Sequence, residues 1–536
     1  MSSAVTPAGH EEKAVNDWTI MVFFAGEENI SPAMISQLKA IKDAGFEKST
    51  SVLIHYDPNK KGVGTVTFDI NRLRKAELGT SIGDGKNPYV RNLIEDIVEG
   101  PPKSATAQDA LKMFLDMGLQ PEYLAKHYAV VLVGHGMVVG NDAFLPDDSP
   151  ETAITLKELG TILLDFKRAV DAKDKGGVVE LIGLHSCSMS AIEVVYELKG
   201  AGRYLMATEG SSFVGSWPYR QLMKKILHAI DDAKEKKYDV DIDQLIMSVQ
   251  RLALHNSTDF MFAGISADLC LCSLNPEKVY DLNPALRKLT KALKAGVKDQ
   301  HALELIKLAH LKSQSYWQET YTDLFDFCLC LEGECKSSDP IQKAILDACQ
   351  LVKEKLKESN RPDGFIIHAD YFGPLYQYSH GLSVYFPWAP PVQEVPALPG
   401  DDILQRYSKY NFTQDLKTGS EDHSWLSFLN LYFEKTQRDT RAEEDNIKVE
   451  AEFYPAHVVT LLGSASINGG ESLDEESRKT TSQLQKTTSQ LFDGGCGCSV
   501  KNYPMQFLRS VRAAEDPNEK SNGSSGRRPA RVPATK

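Results

Sequence analysis

The sequence has no uninterrupted apolar stretch long enough to cross a membrane. Its opening segment, Met1 to Asp17, mixes small, acidic and polar residues and lacks the apolar core of an export signal. We therefore expect a cytoplasmic protein without a membrane partner. Basic residues are the minority: the formal net charge is -13, and no basic motif of the usual binding modules occurs, which argues against a nucleic-acid partner.

Cysteine is scarce, with nine residues in 536. Free thiols are the expectation for a cytoplasmic chain. Five cysteines lie in apolar contexts and are predicted to be small core residues: Cys270, Cys272, Cys328, Cys330 and Cys349. Cys496 and Cys498 lie in a polar segment, where a redox or metal site is the alternative to plain exposure. A dense oxygen-ligand loop of the D-x-D-x-D-G type is also missing, so we predict no metal and no cofactor.

The composition, with 42% hydrophobic and 25% charged residues, is that of a soluble globular protein of two or three domains. Strand-like and helix-like segments alternate in the first half. The predicted strands are Trp18–Gly26, Ser51–Tyr56, Thr65–Phe68, Val130–Val133, Val178–Leu184 and Tyr204–Thr208. Helical spacing occupies residues 34–41, 89–98, 107–117, 156–169 and 190–198. This alternation predicts an α/β layer sandwich with a mostly parallel central sheet.

The pattern changes near Pro218, where long helical stretches begin. Strand character returns at residues 260–272, 364–369 and 381–386, and residues 424–434 have helical spacing. We expect residues 1–16 to be flexible, residues 17–220 to form an α/β domain and residues 221–435 to form an α+β part packed on its sheet. Residues 436–536 are of low complexity and are expected to be largely disordered, with one short strand at 450–462.

Two of the predicted strands end on reactive side chains. The first ends at His135-Gly136, and the second ends at Cys187. Continuous apolar runs of this length are typical of strands buried on both faces of a parallel sheet, and ligands of such sheets bind at the carboxyl ends of the strands. An imidazole and a thiol would thereby meet at one edge, which is the equipment of a cysteine nucleophile with a histidine base.

These segments resemble the clostripain-like cysteine peptidases (peptidase family C11), relatives of caspases, gingipains and separases. The resemblance rests on the order apolar strand, His-Gly, spacer, apolar strand, Cys, and on further segments that extend over residues 17–435. Those segments are 18–28, 127–136, 207–219, 380–387 and 425–429. It implies a caspase-like α/β/α fold and a cysteine endopeptidase acting on protein substrates.

The resemblance also implies roles for single residues. Cys187 would attack the peptide carbonyl, and His135 would serve as the acid–base partner. The backbone N–H groups of Gly136 and Cys187 would hold the oxyanion, and a side chain at Gly136 would obstruct the substrate. A helix beginning near Ser188 would direct its positive end at the thiolate. His185, two residues before Cys187, is a competing base, because alternate strand residues share a face.

Specificity is where the sequence departs from the family. Many relatives carry an aspartate two residues before the nucleophile, where it binds Arg or Lys of the substrate, and here that position is His185. Glu209 is the best remaining acid for a basic pocket, with Asp147 and Asp148 as loop candidates, and Trp217 is a candidate for its apolar wall. A preference for Arg or Lys is kept if Glu209 faces the pocket, and has moved if Glu209 is paired elsewhere.

Activation by proteolysis is a further expectation, since several relatives cut themselves after a basic residue. No Lys or Arg lies between His135 and Lys157, so such a cut is excluded there. The basic residues before the cysteine strand are the candidate processing sites for the enzyme itself or an upstream peptidase: Lys167, Arg168, Lys173 and Lys175. The rival hypothesis is a catalytically silent binding or scaffold protein that an upstream peptidase regulates.

Overall fold

A computed structural model of the chain describes residues 15–25, 31–45, 49–57, 66–70, 106–136, 144–148, 151–173, 177–213, 215–255, 266–317, 319–390, 403–418 and 421–436. Several expectations lie outside these ranges. They are the helix at 89–98, the strand at 450–462, the character of the tail, and the surroundings of Lys175, Cys496 and Cys498.

An eight-stranded sheet forms the centre of the described chain. From one edge to the other its strands are β12 (Ile366–Phe372), β9 (Ala267–Ser273), β8 (Tyr204–Ala207), β7 (Val178–His185), β4 (Ala125–Val133), β1 (Asn16–Phe24), β2 (Thr50–Tyr56) and β3 (Val66–Asp69). The five strands from β8 to β2 run parallel, and the remaining strands pair antiparallel at the edges. The predicted α/β class with a mostly parallel sheet is confirmed.

Helices cover both faces of this sheet because its central strands are apolar on both sides. Along β1, Met21 and Phe23 pack in one hydrophobic layer, while Val22 and Phe24 pack in the other. The second layer is closed by α1 (Ser31–Asp43), α5 (Tyr219–Lys236) and α6 (Ile242–His255). The first layer is closed by α2 (Ala107–Gly118), α3 (Leu156–Asp171), α4 (Ile192–Leu198) and helices of the C-terminal part.

The C-terminal part is mainly helical, as expected. Its helices are α7 (Pro276–Tyr280), α8 (Asn283–Gly296), α9 (Gln300–Lys312), α10 (Leu324–Glu334), α11 (Pro340–Leu356), α12 (Ile403–Ser408), α13 (Asn411–Asp415) and a last helix over residues 425–436. Short antiparallel strands join them: β10 (Ser315–Tyr316), β11 (Tyr321–Asp323), β13 (Ser383–Tyr385), β14 (Lys417–Thr418) and β15 (Glu421–Asp422). Because β9 and β12 complete the central sheet, that sheet continues across the predicted division at residue 220.

One small hairpin was not expected from the sequence. Strands β5 (Phe144–Asp148) and β6 (Glu151–Ile154) pair antiparallel, so Asp147 and Asp148 lie on a strand and not in a loop. Both strands contain polar residues, so the sequence shows no apolar periodicity from which they could be predicted.

The described residues contain no helix long and apolar enough to cross a membrane. In the same ranges, no group of three or more His, Cys, Asp or Glu side chains is arranged to hold a metal ion. The cysteines described are free thiols, and Cys270, Cys272, Cys328 and Cys349 are buried in the core as predicted, while Cys330 is half-buried against it.

Candidate active site

The tips of two neighbouring parallel strands carry His135 and Cys187. Strands β4 and β7 pair in register so that Val133 lies opposite His185. The backbone N–H of Gly134 donates to the carbonyl of His185 at 3.5 Å, which continues the ladder past the end of β4. Both candidate residues follow these paired positions directly, so the sheet brings their backbones to the same edge. His135 is half-buried, and Cys187 is 2% exposed.

Gly136 lies directly against the backbone of Cys187. A Cβ atom at position 136 would lie 1.8 Å from the carbonyl oxygen of Cys187 and 2.7 Å from its nitrogen. Only glycine allows two backbone segments to approach this closely. The sequence predicted that a side chain at position 136 would obstruct the substrate. In the structure, such a side chain would clash first with Cys187 itself.

The sulfur of Cys187 lies against the loop that follows β8. The backbone N–H of Ser212 donates to Sγ at 3.2 Å, and the thiol donates to the carbonyl of Ser212 at 3.4 Å. A backbone donor favours negative charge on the atom it contacts. The N–H of Ser212 therefore favours a thiolate, whereas its carbonyl, which accepts from the thiol, favours the protonated form.

The residues after Cys187 form a turn before the helix begins, and the expected helix start near Ser188 is wrong. Ser188 has φ of 57°, a left-handed conformation that an α-helix does not contain. Its N–H donates to the carbonyl of Gly210 at 2.9 Å, and the N–H of Ser190 donates to the carbonyl of Thr208 at 2.7 Å. Helix α4 begins at Ile192, so its N-terminal end is not at the sulfur.

His185 is a buried structural residue, and its role as a competing base is wrong. Nε2 lies 2.7 Å from the carbonyl of Phe213, which only accepts, so Nε2 carries the hydrogen. Nδ1 then accepts from the hydroxyl of Tyr219 at 2.9 Å. Burial lowers the pKa of His185 to about 3, although the bond to Phe213 acts in the opposite direction. A neutral imidazole engaged at both nitrogens presents no polar atom to Cys187 or to a substrate.

Trp217 packs behind the same histidine. Its ring is stacked on that of His185, with centroids 4.6 Å apart and an interplanar angle of 6°. It also lies against Gly183 of β7, where a Cβ atom would be 3.2 Å from the indole. Trp217 is 3% exposed, so in this structure it supports the strand and the loop after β8. Its assignment to a pocket wall stays a prediction.

Glu209 faces inward, so its predicted place in a basic pocket is wrong. Its Oε2 accepts from the hydroxyl of Ser379 at 2.5 Å, from the N–H of Gly381 at 2.7 Å and from the hydroxyl of Tyr316 at 3.2 Å. The side chain is fully buried. Burial, together with the carboxylates of Asp323 and Asp268, raises the pKa of Glu209 well above its usual range. The residue therefore joins the loop after β8 to the C-terminal part.

The predicted processing residues differ in their local structure. Lys167 and Arg168 lie within α3 and pair with acids on that helix, at 2.5 Å to Asp171 and 3.0 Å to Asp165. A helical backbone must unwind before a peptidase can bind it in extended form. Lys173 is exposed and lies after the last turn of α3. Among the described candidates, Lys173 is therefore the one that lies outside a helix, and processing at any of these residues stays a prediction.

A scan against protein-family models matches residues 22–429 to the clostripain family, peptidase C11. The chain belongs to the clostripain family. The resemblance seen in the sequence is confirmed, and the α/β class with a mostly parallel sheet is the one described above. This member of the clostripain family is a cysteine endopeptidase, and its substrates are proteins. A search of curated proteins found no significant match.

Solved structures of clostripain-family proteins are similar in fold. An inactive zymogen C11 protease from Parabacteroides distasonis is 16% identical over 76% of this chain and 99% of that one, with a TM-score of 0.44. A secreted C11 cysteine protease from Bacteroides thetaiotaomicron, in complex with an irreversible peptide inhibitor, is 14% identical over 78% and 99%, with a TM-score of 0.44. A further structure of a secreted C11 cysteine protease from that organism is 12% identical over 75% and 100%, with a TM-score of 0.46.

Proposed function

We propose that Cys187 is the nucleophile of this peptidase and His135 its acid–base partner. The observation that carries the proposal is the packing of Gly136 on the peptide of Cys187 at the tips of two paired parallel strands. This packing supports a position for His135, the residue before Gly136, beside Cys187. No other described residue of the two strand ends combines these features, since His185 is engaged at both nitrogens.

The reaction follows from these positions. The thiolate of Cys187 attacks the carbonyl carbon of the scissile bond, forming a C–S bond and a tetrahedral oxyanion. The N–H groups of Gly136 and Cys187 are the proposed oxyanion donors, which the close approach of their backbones supports. As the C–N bond breaks, His135 gives its proton to the departing amine. Water then hydrolyses the thioester, with His135 accepting the proton.

The residue preferred before the cut is proposed to be uncharged. His185 is neutral and stands where many relatives carry an acid, and Glu209 is hydrogen-bonded in the interior. Neither offers a carboxylate to a guanidinium or ammonium group, which removes the basis on which Arg or Lys preference was expected. Asp147 and Asp148 are the acids that would restore a basic preference.

Control by a zymogen is the third part of the proposal. Cys187 is 2% exposed, which supports a form that must open before a peptide chain reaches the sulfur. Cleavage at Lys173 or Lys175, by the enzyme itself or by an upstream peptidase, is the proposed trigger. A cytoplasmic location stays a prediction.

The test uses the purified full chain, intact and nicked after Lys173, with an unfolded protein substrate and reporters ending in Arg, Lys, Asp, Leu or Ala. We expect the nicked protein to turn over, with uncharged reporters fastest. Cys187→Ala and His135→Ala should each lose at least about 10³-fold, because each removes a reacting group. Cys330→Ala is the matched control, since that thiol is half-buried and away from the sheet edge.

Two results would contradict the proposal. Turnover unaffected by Cys187→Ala would remove the nucleophile, and absence of turnover in every form would favour the silent scaffold. Arg or Lys reporters cleaved fastest would overturn the specificity alone and point to Asp147 or Asp148.

A further inference from the structure

Residues 209–212 belong to the loop after β8 and carry the donor that contacts the sulfur of Cys187, and we call them the sulfur loop. Its last N–H, that of Ser212, donates to Sγ of Cys187 at 3.2 Å. The carbonyls of Thr208 and Gly210 accept from the turn after Cys187, as described above. The position of this loop therefore decides where the donor to the sulfur lies.

A buried carboxylate binds the first two N–H groups of this loop. Asp268, in β9, is 2% exposed. Its Oδ2 accepts from the N–H of Glu209 at 2.6 Å, and its Oδ1 accepts from the N–H of Gly210 at 3.0 Å. Each oxygen thus takes one of two consecutive donors, an arrangement that an amide side chain cannot reproduce because it has only one acceptor.

A tyrosine binds the third N–H group. The hydroxyl of Tyr376 accepts from the N–H of Ser211 at 3.0 Å. Its ring covers Gly210, where a Cβ atom would lie 2.4 Å from Cζ of the tyrosine. Tyr376 in turn packs on Tyr316, with ring centroids 5.4 Å apart. Four consecutive N–H groups, from Glu209 to Ser212, therefore donate to three side chains, and the fourth donor acts on the sulfur.

We propose that Asp268 and Tyr376 are positioning residues of the peptidase, which hold the sulfur loop so that the Ser212 N–H reaches Cys187. The inference rests on the proposed role of Cys187 as nucleophile. Each acts through a hydrogen bond to the backbone of the loop. No sequence pattern indicates this role, since β9 and residue 376 lie far along the chain from Cys187.

The charge of Asp268 changes near neutral pH. Burial raises its pKa to about 7, although its two backbone donors lower it, and Asp323 raises it further. The titratable groups around it are the carboxyls of Glu209 and Asp323 and the hydroxyl of Tyr316, while Asp370 of the adjacent strand pairs with His255. Protonation of Asp268 converts one of its oxygens from an acceptor to a donor, so the clamp on the loop weakens below about pH 7.

The test measures the reactivity of Cys187 directly in the chain nicked after Lys173, by iodoacetamide labelling followed by mass spectrometry from pH 5.5 to 8. We expect Asp268→Asn to slow labelling about tenfold at pH 8, because small displacements at a reacting group have large effects on rate. Near pH 5.5 the two proteins should react alike. Tyr376→Phe should slow labelling about threefold. Turnover of the best reporter by the nicked proteins should fall in parallel in kcat.

Asp323→Asn is the matched control. Asp323 is a buried acid of the same cluster, but it accepts from the N–H groups of Asp326 and His380, which lie outside the sulfur loop. At pH 8, where Asp268 is mostly ionised, labelling of that variant should stay within twofold of the parent. At lower pH its profile should shift, because loss of the Asp323 charge lowers the pKa of Asp268. Thermal unfolding verifies that each variant is folded, and Tyr376→Phe decides the matter if Asp268→Asn is not.

The inference is overturned if Asp268→Asn labels like the parent at pH 8, if the loss is the same at every pH, or if Asp323→Asn loses as much. Absence of labelling in the nicked parent overturns it as well, because the inference requires a sulfur that reacts once the chain is opened. Failure of the proposed function is a separate result: turnover would then be insensitive to Cys187→Ala, while labelling would still report on the positioning.

Discussion

Gly136 is the residue whose local geometry constrains the site most tightly. Gly136 follows His135 and packs so closely on the peptide of Cys187 that even one methyl group would not fit between them. A glycine here is therefore required by the chain itself, before any substrate binds. The same contact fixes how far the two strand tips can separate.

Replacing Gly136 with alanine should lower kcat/KM by about 10²-fold or more, because the backbone beside His135 must move away from Cys187. The measurement is reporter turnover by the nicked protein, with the melting temperature recorded in parallel. Gly333→Ala is the control, since a Cβ atom at that exposed position meets nothing within 4 Å. Alanine in that helix should be neutral or stabilising by about 0.5–1 kcal/mol. Full activity of Gly136→Ala would show that the two segments are not locked together.

The sequence predicted where a residue lies in the sheet better than it predicted which side chains surround that residue. The placement of Cys187 and His135 after paired parallel strands could be predicted, because each follows a continuous apolar run. His185 was misjudged, because alternation along a strand gives the face of the sheet but not the neighbours on that face. Glu209 was misjudged for a related reason: its partners Ser379 and Gly381 lie about 170 positions further along the chain. Short-range patterns carry no information on such contacts.

At the scale of elements, the helix that follows Cys187 is buried on all sides. Every residue of α4, Ile192–Leu198, is buried, including two glutamates. Glu193 accepts from the hydroxyl of Tyr407 at 2.6 Å and from the N–H of Tyr385 at 3.0 Å. Glu197 accepts from the N–H of Asn411 at 2.5 Å. The helix is thus tied to three segments of the C-terminal part by hydrogen bonds to carboxyl groups.

Burial raises the pKa of Glu193 to about 7, although the donors Tyr407 and Tyr385 lower it. The folded chain therefore binds more protons at this residue than the unfolded chain, and its contribution to the free energy of unfolding falls as the pH rises from about 4.5 to about 7. Glutamine keeps the neutral shape. Glu193→Gln should match the parent at pH 4.5 and be more stable at pH 8, by about 1–3 kcal/mol.

Thermal or denaturant unfolding at both pH values provides the measurement. The exposed Glu354→Gln on α11 is the control and should show no difference between the two conditions. A Glu193→Gln protein that is less stable than the parent at pH 8 would mean that the carboxylate is needed in its charged form.

The ends of strands and helices could also be predicted only where a local sequence pattern determines them. The parallel strands were predicted within a few residues, because burial on both faces demands continuous apolar runs. The start of α4 was placed too early, because Ser188 adopts a left-handed conformation held by the carbonyl of Gly210. The hairpin of β5 and β6 was missed, since its polar strands lack a periodic signal. For α4 the missing information is the hydrogen bond from Ser188 to Gly210, and for the hairpin it is a periodic apolar signal.

At the scale of the whole molecule, the catalytic and C-terminal parts share one sheet. Strand β9 pairs with β8 over four residue pairs, and β12 pairs with β9 beyond it. The C-terminal part also supplies Asp268 and Tyr376 to the sulfur loop. The predicted division at residue 220 consequently separates segments that depend on each other for their hydrogen bonds.

This dependence predicts opposite outcomes for two breaks in the chain. A nick after Lys173 leaves β4 and β7 paired over seven residue pairs, so the two pieces should stay together as one folded species. A fragment ending at residue 220 leaves the edge of β8 unpaired and removes the partners of Glu209, so it should fail to fold, because exposed strand edges and buried unpaired carboxyls are both unfavourable. Size-exclusion chromatography, far-ultraviolet circular dichroism and protease resistance distinguish the two cases. A fragment of residues 1–220 that is monomeric, cooperative on heating and protease-resistant would show that the α/β part is an independent domain, and that the C-terminal part only refines the position of the sulfur loop.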